Sequence, residues 1–180
     1  NLAYNHEVLR TVGISNESGS ATKYDLIAWP PSLKVDSYIV QVGCSEIMPY
    51  AFADSKYLKK VDTGGGTFLD KIGSYAFTNS SIEEFTANKV LSIDEYAFSG
   101  CRNLKKFTFY DYHYYSSNFK SIPKGCFIGC SSLESINLPD PVESIGESAF
   151  QSCQSLKSVY FPFNLKSIGT QCFRDCVALN

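Results

Sequence analysis

The sequence predicts a solenoid, a ribbon coiled into stacked rungs with parallel strands along one wall. Three observations support this fold class. An Ile precedes a Phe by five residues six times, the residue before that Phe is always Ala or Cys, and an aliphatic residue follows the Phe by five or six positions. The successive Phe spacings are 25, 21, 29, 23 and 23 residues, which indicates a unit of 23 with insertions and deletions. A period of this length is typical of solenoids, whose units bury their apolar faces only against neighbouring units.

Each repeat ends in a segment that predicts a short strand. In the fourth repeat, Leu133, Ile136 and Leu138 follow the pattern aliphatic-x-x-apolar-x-apolar. Alternation with period two directs the apolar side chains to one face and the intervening residues to the other. Pro139, and Pro162 one repeat later, end the strand because proline cannot donate to a strand ladder. Repeated once per coil, such strands stack into a parallel sheet with a spacing of about 4.8 Å.

The segment Ile-Gly-x-x-Ala-Phe is expected to form the opposite wall. The small residue before the Phe lets neighbouring coils approach closely, while the ring fills the centre of the coil. We therefore expect one column of six rings through the core, and truncation of a buried ring to Ala would cost about 3–5 kcal/mol. The column consists of Phe52, Phe77, Phe98, Phe127, Phe150 and Phe173.

The complete pattern, Leu-x-x-Ile-x-Leu-Pro with Ile-Gly-x-x-Ala-Phe-x-x-Cys-x-x-Leu, resembles the BspA-like class of leucine-rich repeats over residues 24–180. The resemblance implies a right-handed leucine-rich-repeat solenoid of the α/β horseshoe class. Such a solenoid has mostly short parallel β-strands on one wall, with short strands or helical turns on the other. Ser55 and Ser80 depart from the pattern, since they stand where Cys is usual. We divide the chain into an N-terminal hairpin segment, residues 1–37, and six repeats, residues 38–180, of which the last is truncated.

The N-terminal region carries a second prediction. Residues 16–20 form a turn cluster between Val8–Ile14 and Tyr24–Trp29, which favours a hairpin. The stretch from Tyr24 through Val40 resembles the segment that often precedes a run of such repeats. By that resemblance, it makes a hairpin excursion before the first regular rung.

Seven cysteines raise the question of a disulfide or metal framework. Four of them lie three residues after the Phe of their repeat, and Cys126 and Cys172 replace the Ala before the Phe. This register favours buried free thiols, which behave as small hydrophobes, while disulfides between adjacent rungs remain an alternative. A zinc site is not expected, because His6 and His113 are the only histidines and neither has ligand spacing.

Composition and motifs argue against several function classes. The net charge of −2 and a pI near 5.7 give no electrostatic footprint for nucleic acid or an anionic membrane. No apolar run approaches 18 residues, so we expect no membrane insertion. There is no Gly-x-Ser-x-Gly motif, no histidine near a nucleophile and no paired-carboxylate motif, so we predict no enzyme, no catalytic residue and no cofactor. The abrupt ends lead us to expect an excised piece of a longer, exported protein.

Binding is the function that the repeat pattern favours. Stacked strands create an extended regular surface, the concave interaction face of solenoids. Its predicted solvent-facing positions are mixed in charge and polarity, which suits a protein or glycan ligand. These positions are Lys60, Asp62, Glu84, Thr86, Lys106, Thr108, Ser135, Asn137, Ser158 and Tyr160. Any one of them can equally be an ordinary solvated residue.

The third repeat carries a six-residue aromatic insertion, which is a separate candidate site. It contains Tyr112, His113, Tyr114 and Tyr115. Clustered tyrosine is enriched in recognition surfaces because it offers a large contact area at low entropic cost. Local packing of the rings against the neighbouring rung is the alternative.

The resemblance also implies a location and a kind of partner. Members of the family are surface or secreted proteins of mucosa-associated anaerobic bacteria and of parasitic protists, often linked to adhesion to host matrix proteins. We therefore predict an extracellular or cell-surface adhesion module with a protein or glycan ligand. The alternative is a structural stalk that holds another domain of a larger surface protein.

Overall fold

The computed structural model of this chain describes residues 10–14, 23–64, 69–110 and 118–180. These residues contain thirteen β-strands and no helix. The strands are β1 Arg10–Ile14, β2 Lys23–Ala28, β3 Ser37–Ile39, β4 Cys44–Ile47, β5 Lys60–Asp62, β6 Lys71–Ile72, β7 Glu84–Asn88, β8 Lys106–Tyr110, β9 Ser121–Ile122, β10 Ser135–Asn137, β11 Ser144–Ile145, β12 Ser158–Tyr160 and β13 Ser167–Ile168.

The strands form the walls of a parallel β-solenoid, as the repeat pattern predicts. One wall is a six-stranded sheet of order β12-β10-β8-β7-β5-β3, whose pairs are all parallel. The other wall consists of a four-stranded sheet, β1-β2-β4-β6, and a three-stranded sheet, β13-β11-β9. The strands of this second wall are two to six residues long, and each repeat contributes one of them or an isolated bridge such as Ile72 to Ile93.

The predicted phenylalanine column is present and runs through the core. Successive ring centroids are 4.6, 4.9, 5.6, 5.3 and 5.5 Å apart, and the interplanar angles never exceed 14°. The first five rings are fully buried, and Phe173 is half-buried. Phe85 and Phe107 of the six-stranded sheet meet the column edge-on, for example at 4.9 Å and 72° between Phe85 and Phe98. The apolar core is therefore linear.

Of the two forms expected for the second wall, short strands are present and the described residues contain no helical turn, because the backbone reverses twice in every repeat. The residues two before and two after the Phe both have positive φ, between 53° and 73°. A helix needs consecutive negative φ values, so these left-handed residues replace it with tight turns. The residues before the Phe are Tyr50, Tyr75, Tyr96, Gly125, Ser148 and Gln171, and those after it are Asp54, Asn79, Gly100, Gly129, Ser152 and Asp175.

At the N-terminus, one prediction is confirmed and one is wrong. Strand β1 pairs antiparallel with β2, as the hairpin requires. The following segment is not an excursion, because β2 pairs in parallel with β4 and β3 pairs in parallel with β5. The segment thus stacks as a rung, and its Trp29 ring lies 5.3 Å from Phe52. Bulky apolar residues at Trp29 and Tyr38 cover the first ring of the column, which explains why the chain stacks here.

The seven cysteines are free and buried, which confirms the thiol interpretation and not the disulfide alternative. The thiols of Cys101, Cys130, Cys153 and Cys176 each donate to the carbonyl oxygen of the Phe one rung earlier, at 3.0–3.2 Å. Burial raises the pKa of the Cys126 thiol well above its usual value. These thiols therefore tie adjacent rungs together as neutral donors.

Candidate interaction surface

The ten predicted solvent-facing residues lie on the outer face of the six-stranded sheet. They alternate with buried residues along each strand, and none of the ten is itself buried. In-register pairing arranges them in two rows across the sheet, of which the first is continuous. The first row is Lys60, Glu84, Lys106, Ser135 and Ser158. The second row has two paired stretches, which are Asp62, Thr86 and Thr108 on β5, β7 and β8, and Asn137 and Tyr160 on β10 and β12. The outer face is therefore one continuous polar surface.

Charge is unevenly distributed over this face. The half nearer the N-terminus carries Lys60, Asp62, Glu84 and Lys106, and the Lys60 ammonium lies 3.1 Å from the Glu84 carboxylate. The half formed by β10 and β12 presents hydroxyl and amide groups only. The face thus offers two chemically different halves to a ligand.

An open cleft of about 350 Å³ adjoins the charged half. It is lined by Asp36, Ser37, Lys59, Lys60 and Glu83. Both signs of charge line it, which suits a polar ligand that carries donors and acceptors close together.

A column of alternating charge runs beside the sheet. Each rung contributes the residue that directly follows one of its aliphatic residues, such as Lys59 after Leu58. Backbone hydrogen bonds between these residues, at 2.7–3.5 Å, establish the column. The order is Asp36, Lys59, Glu83, Lys105, Glu134 and Lys157. Glu83 bridges two lysines, at 2.9 Å to Lys105 and 3.1 Å to Lys59, and the hydrogen bond from Lys105 lowers the pKa of this carboxyl. Because opposite charges alternate along the stack, neighbouring rungs attract each other along this column.

Three stacked tyrosines on the opposite side were not anticipated as a unit. Tyr50 and Tyr75 lie 5.2 Å apart at 3°, and Tyr75 and Tyr96 lie 5.1 Å apart at 8°. Each occupies the left-handed position before the Phe, where a non-glycine residue costs about 1–2 kcal/mol. Gly125 ends the ladder, since a Cβ there would lie 2.2 Å from the Tyr96 ring. The recurring Tyr-Ala-Phe tripeptide is the sequence feature from which this ladder could have been found.

Strand β12 and the turn after it present two exposed aromatic side chains. Tyr160 is 62% exposed and Phe163 is 99% exposed. Phe163 has no counterpart among the residues singled out from sequence, because its position carries no repeat signature. The predicted aromatic insertion, Tyr112, His113, Tyr114 and Tyr115, lies outside the described residues. Strand β8 leads into that insertion and ends at Tyr110, which is 60% exposed.

The described residues offer binding chemistry and no visible metal chemistry. Across residues 10–14, 23–64, 69–110 and 118–180, no group of three or more His, Cys, Asp or Glu side chains is placed to hold a metal ion. The same part of the chain has no helix of the length and apolarity needed to cross a membrane. Its polar groups form ion pairs and hydrogen bonds on an open surface.

The geometry defines a class, a parallel β-solenoid of stacked leucine-rich rungs. The chain belongs to the BspA type leucine rich repeat region family, whose model matches six copies over residues 31–119 and 111–180. No match was found among curated proteins.

Solved structures of bacterial leucine-rich-repeat proteins share the fold. A leucine rich cell surface protein from Faecalibacterium prausnitzii is 25% identical with a TM-score of 0.62, over 94% of this chain and 36% of that one. A leucine-rich repeat protein from Eubacterium ventriosum is 25% identical with a TM-score of 0.76, over 88% of this chain and 42% of that one. A Bacteroides ovatus leucine-rich repeat protein, 18% identical with a TM-score of 0.56 over 94% of this chain and 68% of that one, shows the fold alone. This chain spans less than half the length of the first two proteins.

Proposed function

We propose that this chain is a non-enzymatic interaction module of a surface or secreted protein, acting as an adhesin toward a matrix or cell-surface ligand. The outer face of the six-stranded sheet is its binding surface, with protein as the first ligand class and glycan as the alternative. The observation that carries the proposal is the continuous row of paired residues from Lys60 to Ser158 across five adjacent strands, with a second, interrupted row beside it. The strand pairing already orders the backbone that carries these ten side chains. Binding therefore costs little further backbone entropy, which favours a ligand on this face.

The similarity to a protein described as a leucine rich cell surface protein supports the location. The mixed charges of the N-terminal half, including the paired Lys60 and Glu84, favour a protein partner with both signs on its surface. The aromatic insertion at Tyr112, His113, Tyr114 and Tyr115 stays a second candidate contact. It follows directly on β8, whose Lys106 and Thr108 belong to the binding face.

A stalk is the second candidate function. The alternating charge column favours it, because such a column fixes the stacking of successive rungs whether or not a ligand binds. In a stalk, the outer face would carry no ligand and would tolerate substitution.

Binding of the purified chain to immobilised fibronectin, laminin and collagen, and to a glycan array, tests the proposal. The triple variant Lys60→Ala, Glu84→Ala, Lys106→Ala should lose at least about tenfold in affinity, since interface hot spots contribute 1.4 kcal/mol or more. The matched control is Lys120→Ala with Glu143→Ala, which removes the 3.0 Å pair between these two residues and the pair of Glu143 with Lys166 from the other wall. Absence of binding to every surface, or equal loss in the control, contradicts an adhesin and leaves the stalk.

A further inference from the structure

The corner where β12 ends carries two aromatic rings that point away from the core. Tyr160 stands on the outer face of the sheet, and Phe163 lies in the turn that follows. The turn is held by a hydrogen bond from the Leu165 amide to the Pro162 carbonyl, at 3.1 Å, and by one from the Asn164 side-chain amide to the Asp140 carbonyl, also at 3.1 Å. Both rings are thus presented on a backbone that is already ordered.

The exposure of these rings follows from their positions in the repeat and not from their place in the last rung. One rung earlier, the equivalent positions are Asn137 and Asp140, and both are exposed although rungs stack on either side of them. The fold therefore does not require an aromatic side chain at either position. Phe161 is less exposed, at 44%, and lies 6.0 Å from the Phe173 ring of the column. The aromatic corner is defined here as Tyr160 and Phe163 alone.

The surroundings of the aromatic corner are mostly uncharged. Ser135, Asn137 and Ser158 share the outer face with Tyr160. Two lysines of the flanking segments are engaged, since Lys157 lies 3.1 Å from Glu134 and Lys166 pairs with Glu143, and the exposed Asp140 stands one repeat before Phe163. A carboxylate at this corner disfavours a polyanion. Two flat aromatic rings beside hydroxyl and amide groups match a neutral sugar polymer. Its ring C–H groups meet the electron-rich face of an aromatic ring while its hydroxyls bond to the polar neighbours.

We propose that the aromatic corner binds a neutral polysaccharide, with Tyr160 and Phe163 as the stacking residues and Asn137 and Ser158 as hydrogen-bonding neighbours. The surface is open, so the ligand lies along it as a chain. The inference rests on the proposed function in that the chain acts as a binding module. It assigns a different half of the sheet and a different ligand class from the protein contact at Lys60 and Glu84.

Native gel electrophoresis of the purified chain through dextran, mannan and mixed-linkage β-glucan tests this proposal, with heparin and hyaluronan as charged comparisons. At least one neutral polymer should retard the chain, and the retardation should be equal at low and high salt because no free charge takes part. Phe163→Ser and Tyr160→Ala should each weaken the association constant at least about tenfold, and Tyr160→Phe should retain it within about threefold. Val42→Ser removes an apolar side chain that is 74% exposed on a distant rung, and it should change nothing.

The proposal is overturned by no retardation by any neutral polymer, by retardation by the charged polymers only, by retardation unchanged in both aromatic variants, or by an equal loss in Val42→Ser. Because Phe163 is almost fully exposed, Phe163→Ser does not disturb the core, so loss of binding is separable from loss of fold. If Phe163→Ser instead abolishes binding to a matrix protein, the corner belongs to a protein interface and the polysaccharide assignment fails. Matrix-protein binding that depends on Lys60 and Glu84 can persist when this proposal fails, so the two failures are distinguishable.

Discussion

The centre of the phenylalanine column gives the sharpest test of the fold, through Phe98→Ala. The Phe98 ring is fully buried and stacks on Phe77 at 4.9 Å and on Phe127 at 5.6 Å. Phe85 and Phe107 meet its edges at 4.9 and 5.1 Å. Truncating a buried Phe costs about 3–5 kcal/mol, and the cost is highest where neighbours cannot move into the cavity. Rings on adjacent rungs are fixed by the strand ladders, so we expect the upper part of this range.

The matched control is Phe173→Ala at the other end of the same column. Phe173 is half-buried and contacts Phe150 at 5.5 Å and Phe161 at 6.0 Å. Full burial of such a side chain contributes about 1.5–3 kcal/mol, so half-burial predicts a loss of about 0.8–1.5 kcal/mol. The ratio between the two variants depends only on depth in the stack, because the residue type and the substitution are identical.

Urea unfolding followed by circular dichroism and by the fluorescence of Trp29 measures both losses. The single tryptophan lies against the first ring of the column, so its fluorescence reports the N-terminal rungs. Each rung contacts only its neighbours, so a cavity at Phe98 should uncouple the rungs before it from the rungs after it. The unfolding midpoint measured by Trp29 fluorescence should then differ from the midpoint measured by circular dichroism. Equal losses for the two variants, or a loss below about 1.5 kcal/mol at Phe98, would refute a continuous linear core.

Three further predictions concern turns, thiols and surface charge. Gly125→Ala should destabilise the chain by more than the roughly 1–2 kcal/mol expected for a left-handed alanine, because its Cβ would lie 2.2 Å from the Tyr96 ring. Gly129→Ala is the control, since the atoms closest to its Cβ are 3.7 Å away, and urea unfolding compares the two variants. The Cys176 thiol should react first in a time course with Ellman's reagent, since it lies in the last rung and, at 9%, is the most exposed of the seven thiols. Glu83→Gln should make the stability of the chain depend less on pH in acid. The pKa of the Glu83 carboxyl is lowered in the folded chain, so the carboxylate contributes stability above its unfolded pKa, near 4.5, and this stability is lost as the pH falls through the folded pKa.

Each of these predictions has a contradicting result. Equal destabilisation at Gly125 and Gly129 would mean that the tyrosine ladder moves aside without cost. Simultaneous reaction of all thiols would mean that the chain opens globally and not at its end. An unchanged acid profile in Glu83→Gln, with thermal unfolding measured between about pH 3 and pH 7, would mean that solvent screening removes the effect of the two neighbouring lysines.

Sequence periodicity alone determined the architecture and the rows of the candidate surface. In a solenoid, residues at one repeat position stack directly above each other, so a column in the sequence becomes a column in space. The stacking of the rings from Phe52 to Phe173 follows from this rule. The outward direction of Lys60 and Asp62 follows from the period of two along the strand. The charge alternation from Asp36 to Lys157 was readable in the same way.

Tertiary structure decided what the hydrophobic repeat pattern did not reveal. Short strands or helical turns were expected on the second wall, whereas φ is positive at two residues per rung. Tyr50 and Gln171 give no compositional sign of a left-handed backbone, although Asp, Asn and Gly at the second residue after the Phe do. The N-terminal segment stacks as a rung because the Trp29 ring finds Phe52, a contact between residues with no shared pattern. The exposure of Phe163 likewise depends on which way one turn leaves the sheet. A contact that recurs in every rung can be predicted from the repeat in the sequence. A contact made only once depends on the path of the backbone, which is known only from the folded structure.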